Sequence, residues 1–315
     1  MKRLIVSGAT SMIGLATIEA AVSHGCEVYA IAREGSRRIN CLPESGLVKV
    51  VFGSLDTFGQ IKGLPRVADV FYHFAWAGTG KMERNDPFIQ EKNIKYTLDA
   101  VELARKTGCV KFIGAGSQAE YGSTDGEITD GTRFRPDTAY GAAKNAAFLL
   151  SRKLCEQYDM IHIWGRIFSV YGVRDRDGTV LNYAIDNFLK KAVASFSEGT
   201  QNWNFLNERD AGEIFYLLGE KVDQTKEYRV ASDVSKPLRA YIEELAEMMD
   251  AAGFCSFAVE GGGERPYGIK TCDEILFSDI SFRPSVSFRD GIREVIEERK
   301  RKREHERRQR FDSVL

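Results

Sequence analysis

The sequence predicts a doubly wound α/β fold, in which a parallel sheet carries helices on both faces. Two observations predict it: short apolar runs alternate with longer segments of helical period, and a glycine-containing turn follows the first apolar run. The 315 residues exceed one typical domain of roughly 100–200 residues. We therefore expect one large α/β domain followed by a smaller C-terminal lobe.

Six strands and three long helices are expected in the first half of the chain. The apolar, β-branched runs that predict strands cover residues 4–6, 28–32, 48–52, 70–74, 110–115 and 161–167. Helices are expected to begin near Met12, Pro87 and Thr138, between successive strands. This alternation is typical of repeated βαβ units, which place the strands side by side in parallel.

The alternation of predicted strands and helices becomes less regular after Gly172, where we place the start of the second lobe. The first domain is thus expected over residues 1–172, with a later segment around 207–235 returning to it, and the lobe over 173–315. In the second half we expect helices at 182–194, 211–219 and 238–249, a strand at 228–231, and a flexible loop at the glycines 261–263. Residues 289–310 predict a charged, solvated terminal helix.

Composition restricts the function classes. The 44 Lys and Arg residues nearly balance the 45 Asp and Glu residues, so the net charge of −1 gives no general attraction for nucleic acid or an anionic membrane. No apolar run is long enough for a membrane span or a signal peptide, so we expect a cytoplasmic protein. The six cysteines are widely spaced and indicate neither a metal site nor disulfides.

The turn after the first strand predicts a phosphate-binding site. Gly8 and Gly14 bracket the sequence Ala-Thr-Ser-Met-Ile before the first helix. Residues without a side chain let backbone N–H groups and the positive end of a helix approach a pyrophosphate. Ser11 stands where a third glycine is common, and we expect its hydroxyl to donate a hydrogen bond to the phosphate.

The end of the second strand favours NADP(H), with NAD(H) possible. An acidic residue there would bind a ribose 2′-hydroxyl and repel a 2′-phosphate. This chain instead has Ala32 and Arg33, followed by Arg37 and Arg38. Guanidinium groups pair well with a 2′-phosphate. The alternative is that these arginines form only a solvated loop.

A tyrosine and a lysine are expected to catalyse proton transfer. Lys144 follows Tyr140 by four residues in a predicted helix, which puts both on one face. We expect the ammonium group to lower the phenol's pKa. Ser117 follows the fifth strand, at the edge of the sheet where ligands bind in such folds. Its hydroxyl can hydrogen-bond the oxygen that Tyr140 protonates or deprotonates.

Together these motifs resemble the extended short-chain dehydrogenase/reductase family, whose members are nucleotide-sugar epimerases, dehydratases and reductases with a Rossmann fold. The similarity covers nearly the whole chain and includes Asn93, the Tyr-Gly pair ending at Gly172, Asp210 and the segment 282–292. It implies a nucleotide-sugar substrate, a homodimer through the helices flanking the tyrosine, no metal, and the catalytic residues Ser117, Tyr140 and Lys144. The cofactor-binding residues that it implies are Gly8, Thr10, Ser11, Met12, Ile13, Gly14, Arg33, Arg37, Ser54, Leu55, Phe74, Ala75, Trp76, Asn93, Tyr140 and Lys144.

Departures from the family pattern narrow the expected reaction. Gln118 and Ala119 replace the Asp-Glu pair of the family's 4,6-dehydratases, and the cysteine and histidine of its 3,5-epimerase/reductases are missing. Hydride transfer at C4 remains. Arg33 favours an NADPH-dependent reductase of a nucleotide-linked 4-keto-6-deoxyhexose over the alternative, a 4-epimerase that holds NAD tightly; a non-catalytic dinucleotide sensor is a third hypothesis. The expected substrate-binding residues are Thr79, Ser117, Gln118, Ser169, Asn182, Trp203 and Arg265, although a tryptophan such as Trp203 is more often a core residue than a platform on which a base stacks.

Overall fold

A seven-stranded parallel sheet forms the centre of the protein in a computed structural model, which describes residues 1–80, 82–124, 126–258 and 268–312. The strands are β1 Arg3–Ser7, β2 Glu27–Ala32, β3 Val48–Phe52, β4 Val70–His73, β5 Lys111–Ser117, β6 Ile161–Ile167, β7 Ser169–Tyr171, β8 Ala194–Phe196, β9 Asn202–Trp203, β10 Phe205–Asn207, β11 Lys226–Val230, β12 Lys236–Pro237 and β13 Cys255–Phe257. The helices are α1 Met12–Ser23, α2 Pro87–Lys106, α3 Ala139–Gln157, α4 Val180–Leu189, α5 Glu208–Lys221, α6 Leu238–Met248, α7 Glu274–Ile280 and α8 Phe288–Asp312.

The strand order is β3-β2-β1-β4-β5-β6-β11. The chain winds outward from β1 in one direction through β3 and then in the other through β4, so the order reverses between β1 and β4. In open α/β sheets ligands bind in the crevice beyond the carboxyl ends of the strands at this reversal. The predicted doubly wound α/β fold is confirmed.

Local sequence explains where the site-bearing helices begin. Asp86 caps α2 by accepting hydrogen bonds from backbone N–H groups of its first turn, and Pro87 occupies the first helical position. Thr138 caps α3 by accepting from the N–H of Gly141 at 3.1 Å. The start of each helix is thereby fixed next to the carboxyl edge of the sheet.

The C-terminal half builds a second core beside the sheet. Its buried apolar residues come mainly from α4, α6 and α8 and include Ile185, Tyr241 and Ile292. Three pairs of short strands lie outside the large sheet: β7 with β10, β9 with β12 and β8 with β13. Strand β11, although it follows α4, β8, β9 and β10 in sequence, pairs with β6 at the edge of the large sheet.

Two second-half helices differ from expectation. The helix expected at 182–194 begins at Val180 and ends at Leu189, because Lys191 adopts a left-handed conformation with φ 55° and β8 then begins. The charged helix is longer than expected, and its first turns are not solvated: Ile292 and Val295 are buried against the second core. None of the helices in the described ranges is long and apolar enough to cross a membrane.

Candidate active site

The turn between β1 and α1 passes against the end of β4. Gly8 has φ +71°, and a Cβ added there would lie 2.6 Å from the backbone nitrogen of Ala75. A side chain at Gly14 would clash with the Gly8 carbonyl oxygen. Both positions therefore require glycine, and the turn can lie close to a ligand without side chains in between.

Ser11 caps α1 as its N-terminal residue. Its Oγ accepts a hydrogen bond from the N–H of Gly14 at 3.0 Å, so the lone pairs of this hydroxyl serve the helix while its O–H remains a donor. The N–H groups of Met12 and Ile13, the first two helical residues, have no carbonyl partner within an α-helix. Thr10 lies beside them, and its hydroxyl is 3.4 Å from that of Ser36. This cradle fits a pyrophosphate.

The residues expected at the adenosine end follow β2 and β3. Arg33 and Arg37 are exposed and make no ion pair within the described ranges. Ser54 begins the short 3₁₀ turn that contains Leu55 and accepts from the hydroxyl of Thr57 or donates to it at 3.2 Å. These residues therefore lie along the same edge of the sheet as the glycine turn, with two guanidinium groups available to a ligand.

The loop after β4 is braced by two buried amides of α2. Asn93 accepts from the N–H of Ala77 at 2.8 Å and donates to its carbonyl at 3.1 Å. Gln90 accepts from the indole N–H of Trp76 at 2.9 Å. Asn93 thus acts on the loop that contains Phe74, Ala75 and Trp76, and its amide is engaged by protein backbone.

The three expected catalytic residues meet where β5 ends and α3 begins. Ser117 is the last residue of β5 and is buried, while Tyr140 lies in the first turn of α3 and is partly exposed. Lys144 is buried one turn later, and its Nζ donates to the carbonyl of Ala115 at 2.6 Å. The same Nζ lies 3.6 Å from the ring centroid of Trp76, whose indole meets the Tyr140 ring edge to face.

The expected effect of Lys144 on the phenol is wrong in this structure. Burial raises the pKa of Tyr140, and the strongest opposing influence is the positive charge of Arg84, followed by hydrogen bonding to Ser117. Burial also lowers the pKa of Lys144 to about 7, although the negative charge of Glu120 opposes this shift. A lysine that is only partly charged near neutral pH lowers the pKa of a neighbouring phenol less than a fully charged lysine does.

Glu120 lies beneath Ser117 and is fully buried. Its carboxylate accepts from the N–H of Ser117 at 2.8 Å, from the indole of Trp164 at 3.2 Å and from the guanidinium of Arg166 at 2.7 Å. Arg166 in turn lies 4.1 Å from the ring centroid of Phe134. The carboxylate is thus committed to fixed partners and orients the serine backbone.

The expected substrate-binding residues are distributed over the loops and the second region. The carbonyl of Thr79 accepts from Arg176 at 2.9 Å, and Asn182 donates to the Arg176 carbonyl at 2.9 Å. Gln118 has a buried Oε1 with no hydrogen-bond partner among the described residues. Ser169 opens β7 and is partly buried. These contacts join the β4 loop to the segment that precedes α4.

Trp203 and Arg265 are the last two of the expected substrate-binding residues. Trp203 lies in β9 and packs against Phe205 with ring centroids 6.2 Å apart, so its ring belongs partly to the core. Its indole N–H is buried without a partner in the described part of the chain. Arg265 falls outside the described residues.

Two residues of the site carry no signal in the sequence. The guanidinium carbon of Arg84 lies 4.1 Å from the ring centroid of Tyr140, and Arg176 adds a second positive charge nearby. A single arginine in a loop has no spacing that connects it to a distant helix.

Within the described ranges no cluster of three or more His, Cys, Asp or Glu side chains could hold a metal ion.

The glycine turn at the strand reversal and the Ser-Tyr-Lys set define a dinucleotide-dependent enzyme of the short-chain dehydrogenase/reductase class. Residues 4–231 match the model of the NAD dependent epimerase/dehydratase family, and the chain belongs to that family. This confirms the resemblance and the assignment as an oxidoreductase-type enzyme.

Individual relatives are distant. An uncharacterized UDP-glucose epimerase of Bacillus subtilis is 26% identical over 175 residues, which is 53% of each protein, so the match spans about half of that relative. A UDP-N-acetylglucosamine 4-epimerase from Methanobrevibacter ruminantium superposes with a TM-score of 0.82 at 21% identity, covering 96% of this chain and 99% of the other. A UDP-glucuronic acid 4-epimerase from Bacillus cereus, solved with UDP-glucuronic acid and NAD, gives 0.80 at 18% identity, covering 95% and 99%. At these identities the two structures establish the shared fold.

Proposed function

We propose that this chain is a nucleotide-sugar 4-epimerase that holds NAD. The observation that carries the proposal is the meeting of Ser117, Tyr140 and Lys144 at the carboxyl edge of the sheet, next to a turn that fits a pyrophosphate. The similar structures that are named as 4-epimerases support this reaction over the reductase favoured by the sequence. The 4-epimerase was the alternative in the sequence analysis.

The residues divide the chemistry at C4 of the sugar. Tyr140, as its phenolate, takes the proton of the C4 hydroxyl and becomes the neutral phenol, and Ser117 hydrogen-bonds the same oxygen as it becomes a carbonyl. Bound NAD would supply the hydride acceptor and donor for C4, and inversion requires that the hydride return to the opposite face of the carbonyl. Tyr140 then gives its proton back to the oxygen, which leaves the inverted alcohol and no net consumption of cofactor.

Dehydration at C5 and C6 is disfavoured by the same geometry. That reaction needs an additional acid and base beside the sugar, and the positions after Ser117 hold Gln118 and Ala119. Glu120 is the nearest carboxylate in sequence, but its oxygens are occupied by Ser117, Trp164 and Arg166. Hydride transfer coupled to one phenol therefore fits best.

The cofactor is proposed to lie along the first four strands. The turn from Gly8 to Gly14 would hold its pyrophosphate, and Lys144 together with Tyr140 would hold the ribose at the reactive end. Leu55, with Ser54, would flank the adenine. One observation favours NADP as cofactor and the reductase as second candidate: the guanidinium groups of Arg33 and Arg37 are exposed and have no ion-pair partner among the described residues.

Substrate hydroxyls are proposed to bind in the crevice between the sheet and the second region. Among the described residues, the buried Oε1 of Gln118 and the buried indole N–H of Trp203 have no hydrogen-bond partner, and both are proposed to contact the substrate. The other residues proposed to bind substrate hydroxyls are Thr79, Ser169 and Asn182. A buried polar atom without a partner costs free energy unless a ligand or water completes it, which supports Gln118 and Trp203 most directly.

A cytoplasmic homodimer through α2 and α3 is proposed as the assembly. Phe88 is 78% exposed, and Leu149 and Leu150 are about half exposed on the neighbouring helix. Such apolar side chains on two adjacent helices suit a helix-to-helix interface. Sedimentation equilibrium of the wild type and of Leu149→Glu tests this, with a monomer expected for the variant.

Two measurements test the reaction. The purified protein is denatured and its released nucleotide is identified, and the native protein is assayed with pairs of UDP-sugars that differ only at C4, without added cofactor. A 4-epimerase releases NAD and interconverts a pair in both directions, whereas Ser117→Ala is much slower. If the denatured protein releases no nucleotide and the native protein oxidises added NADPH in the presence of a 4-keto sugar, the reductase is established instead.

A further inference from the structure

Two guanidinium groups border the side of the site where the sugar must lie. Arg84 stacks on the Tyr140 ring at 4.1 Å, and Arg176 donates through Nη1 to the carbonyl of Thr79 at 2.9 Å. Both positive charges oppose the rise that burial causes in the pKa of the Tyr140 phenol. They therefore lie near the oxygen that is proposed to react with the substrate.

The turn that contains Arg84 is held by contacts from two helices. The neighbouring Asn85 accepts from the N–H of Ala139 at 2.9 Å, which fixes the turn to the start of α3. Gln90 in α2 is buried and donates to the carbonyls of Gly78 at 2.7 Å and Glu83 at 3.1 Å. The stack on Tyr140 is thus part of a braced turn rather than the arrangement of a free surface side chain.

Neither guanidinium has a carboxylate partner in the described ranges, whereas the arginines at other buried contacts do. Asp175, beside Arg176, accepts from the backbone N–H of that residue at 2.8 Å. A guanidinium that stacks through its flat face keeps its N–H groups pointing outward in the plane. Arg84 can therefore donate to a carboxylate while it remains on the tyrosine ring.

We infer that the substrate is an acidic nucleotide sugar, with a carboxylate on a substituent next to C4, and that Arg84 is the residue that selects it. The inference rests on the proposed function, because Tyr140 places C4. The sugar's neighbours of C4 are C3 and C5, so the carboxylate is either C6 of a uronic acid or a group linked through the C3 oxygen. The diphosphate is attached at C1, on the opposite side of the ring, and is not near Tyr140.

Binding to the Tyr140→Phe protein tests this, because the ring for stacking remains while turnover is blocked. Calorimetry compares UDP-glucuronate and UDP-N-acetylmuramate with their neutral counterparts UDP-glucose and UDP-N-acetylglucosamine, each with saturating NAD. We expect one acidic sugar to bind about 10–100-fold more tightly than its neutral counterpart. Which acid is preferred distinguishes the two positions of the carboxylate.

Adding Arg84→Gln to this protein should remove the preference while changing the affinity for the neutral sugar less than about threefold. Arg105→Gln is the matched control, since Arg105 stacks on Tyr158 at 4.5 Å away from the site. Equal binding of acidic and neutral sugars by the parent protein would overturn the inference. So would an equal loss for both sugars in Arg84→Gln, which would make Arg84 a positioning residue for the tyrosine.

The assay of the wild type separates this inference from the proposed function. Interconversion of C4 epimers without any preference for acidic sugars leaves the function intact and contradicts the inference. An Arg84-dependent preference in binding without interconversion of any pair contradicts the function and retains the charged subsite. Failure to bind any acidic sugar contradicts the inference.

Discussion

The guanidinium of Arg166 donates to the carboxylate of Glu120 at 2.7 Å, and neither side chain is more than 1% exposed. The other oxygen of Glu120 accepts from the backbone of Ser117. An ion pair from β6 therefore supports, from below, the hydroxyl that contacts the substrate in our proposal. The contact connects two residues that are 46 positions apart in the chain.

Glu120→Gln should destabilise the protein by about 3–5 kcal/mol, because it leaves a buried guanidinium without its principal counter-charge. Glu227→Gln is the matched control: Glu227 pairs with the same arginine, but its side chain is 41% exposed. We expect it to cost at most about 1 kcal/mol. Urea unfolding measures both, and equal losses would mean that burial of the Glu120 pair is not what matters.

Tyr140→Phe should lower kcat about 10²–10⁴-fold with the affinity for cofactor retained, because the proton donor and acceptor is lost while the ring remains. Tyr158→Phe, at the other end of α3, removes a hydroxyl that donates to Glu102 outside the site. Its turnover should match that of the wild type. Full turnover by the Tyr140→Phe protein would contradict a catalytic phenol. If neither the wild type nor the variant shows a measurable reaction, a dinucleotide sensor is favoured.

Gly8→Ala should abolish cofactor binding and destabilise the fold, because its Cβ would lie within 3 Å of the backbone at Ala75. Gly25→Ala separates this clash from backbone strain. Gly25 has a similar φ of +75°, yet nothing lies within 4 Å of a Cβ added there. It should cost only about 1–2 kcal/mol, the penalty of the left-handed conformation. Comparable losses of NAD binding in both variants would refute the steric argument.

Lys144 should make stability rise with pH above neutrality. Burial lowers its pKa to about 7 in the folded chain, from 10.5. Between these values the unfolded chain holds a proton that the folded chain lacks, so unfolding becomes less favourable as the pH rises. Relative to Lys144→Met, the wild type should gain about 1–2 kcal/mol between pH 7 and pH 9 in urea unfolding without cofactor. A constant difference between the two proteins would indicate that Lys144 remains charged.

The fold could be predicted from the sequence because the patterns that indicate strands and helices are local. Short apolar runs mark the buried strands, and the spacing of Tyr140 and Lys144 places both on one side of α3 without knowledge of any distant contact. The stack of Arg84 on Tyr140 and the pair of Arg166 with Glu120 depend on which loops and strands become neighbours. No local pattern encodes those contacts. The upward shift of the Tyr140 pKa comes from burial, which depends on tertiary packing and is not indicated by the four-residue spacing to Lys144.

The position of β11 has a consequence for how this chain can be divided. Residues 226–230 cover the outer edge of β6, and in the chain they come only after α4, β8, β9, β10 and α5. A polypeptide shortened at Gly172 would leave that edge as a row of open backbone donors and acceptors. Such a fragment should aggregate through strand-to-strand pairing between molecules, so the nucleotide-binding half is not expected to be obtained as an independent soluble piece.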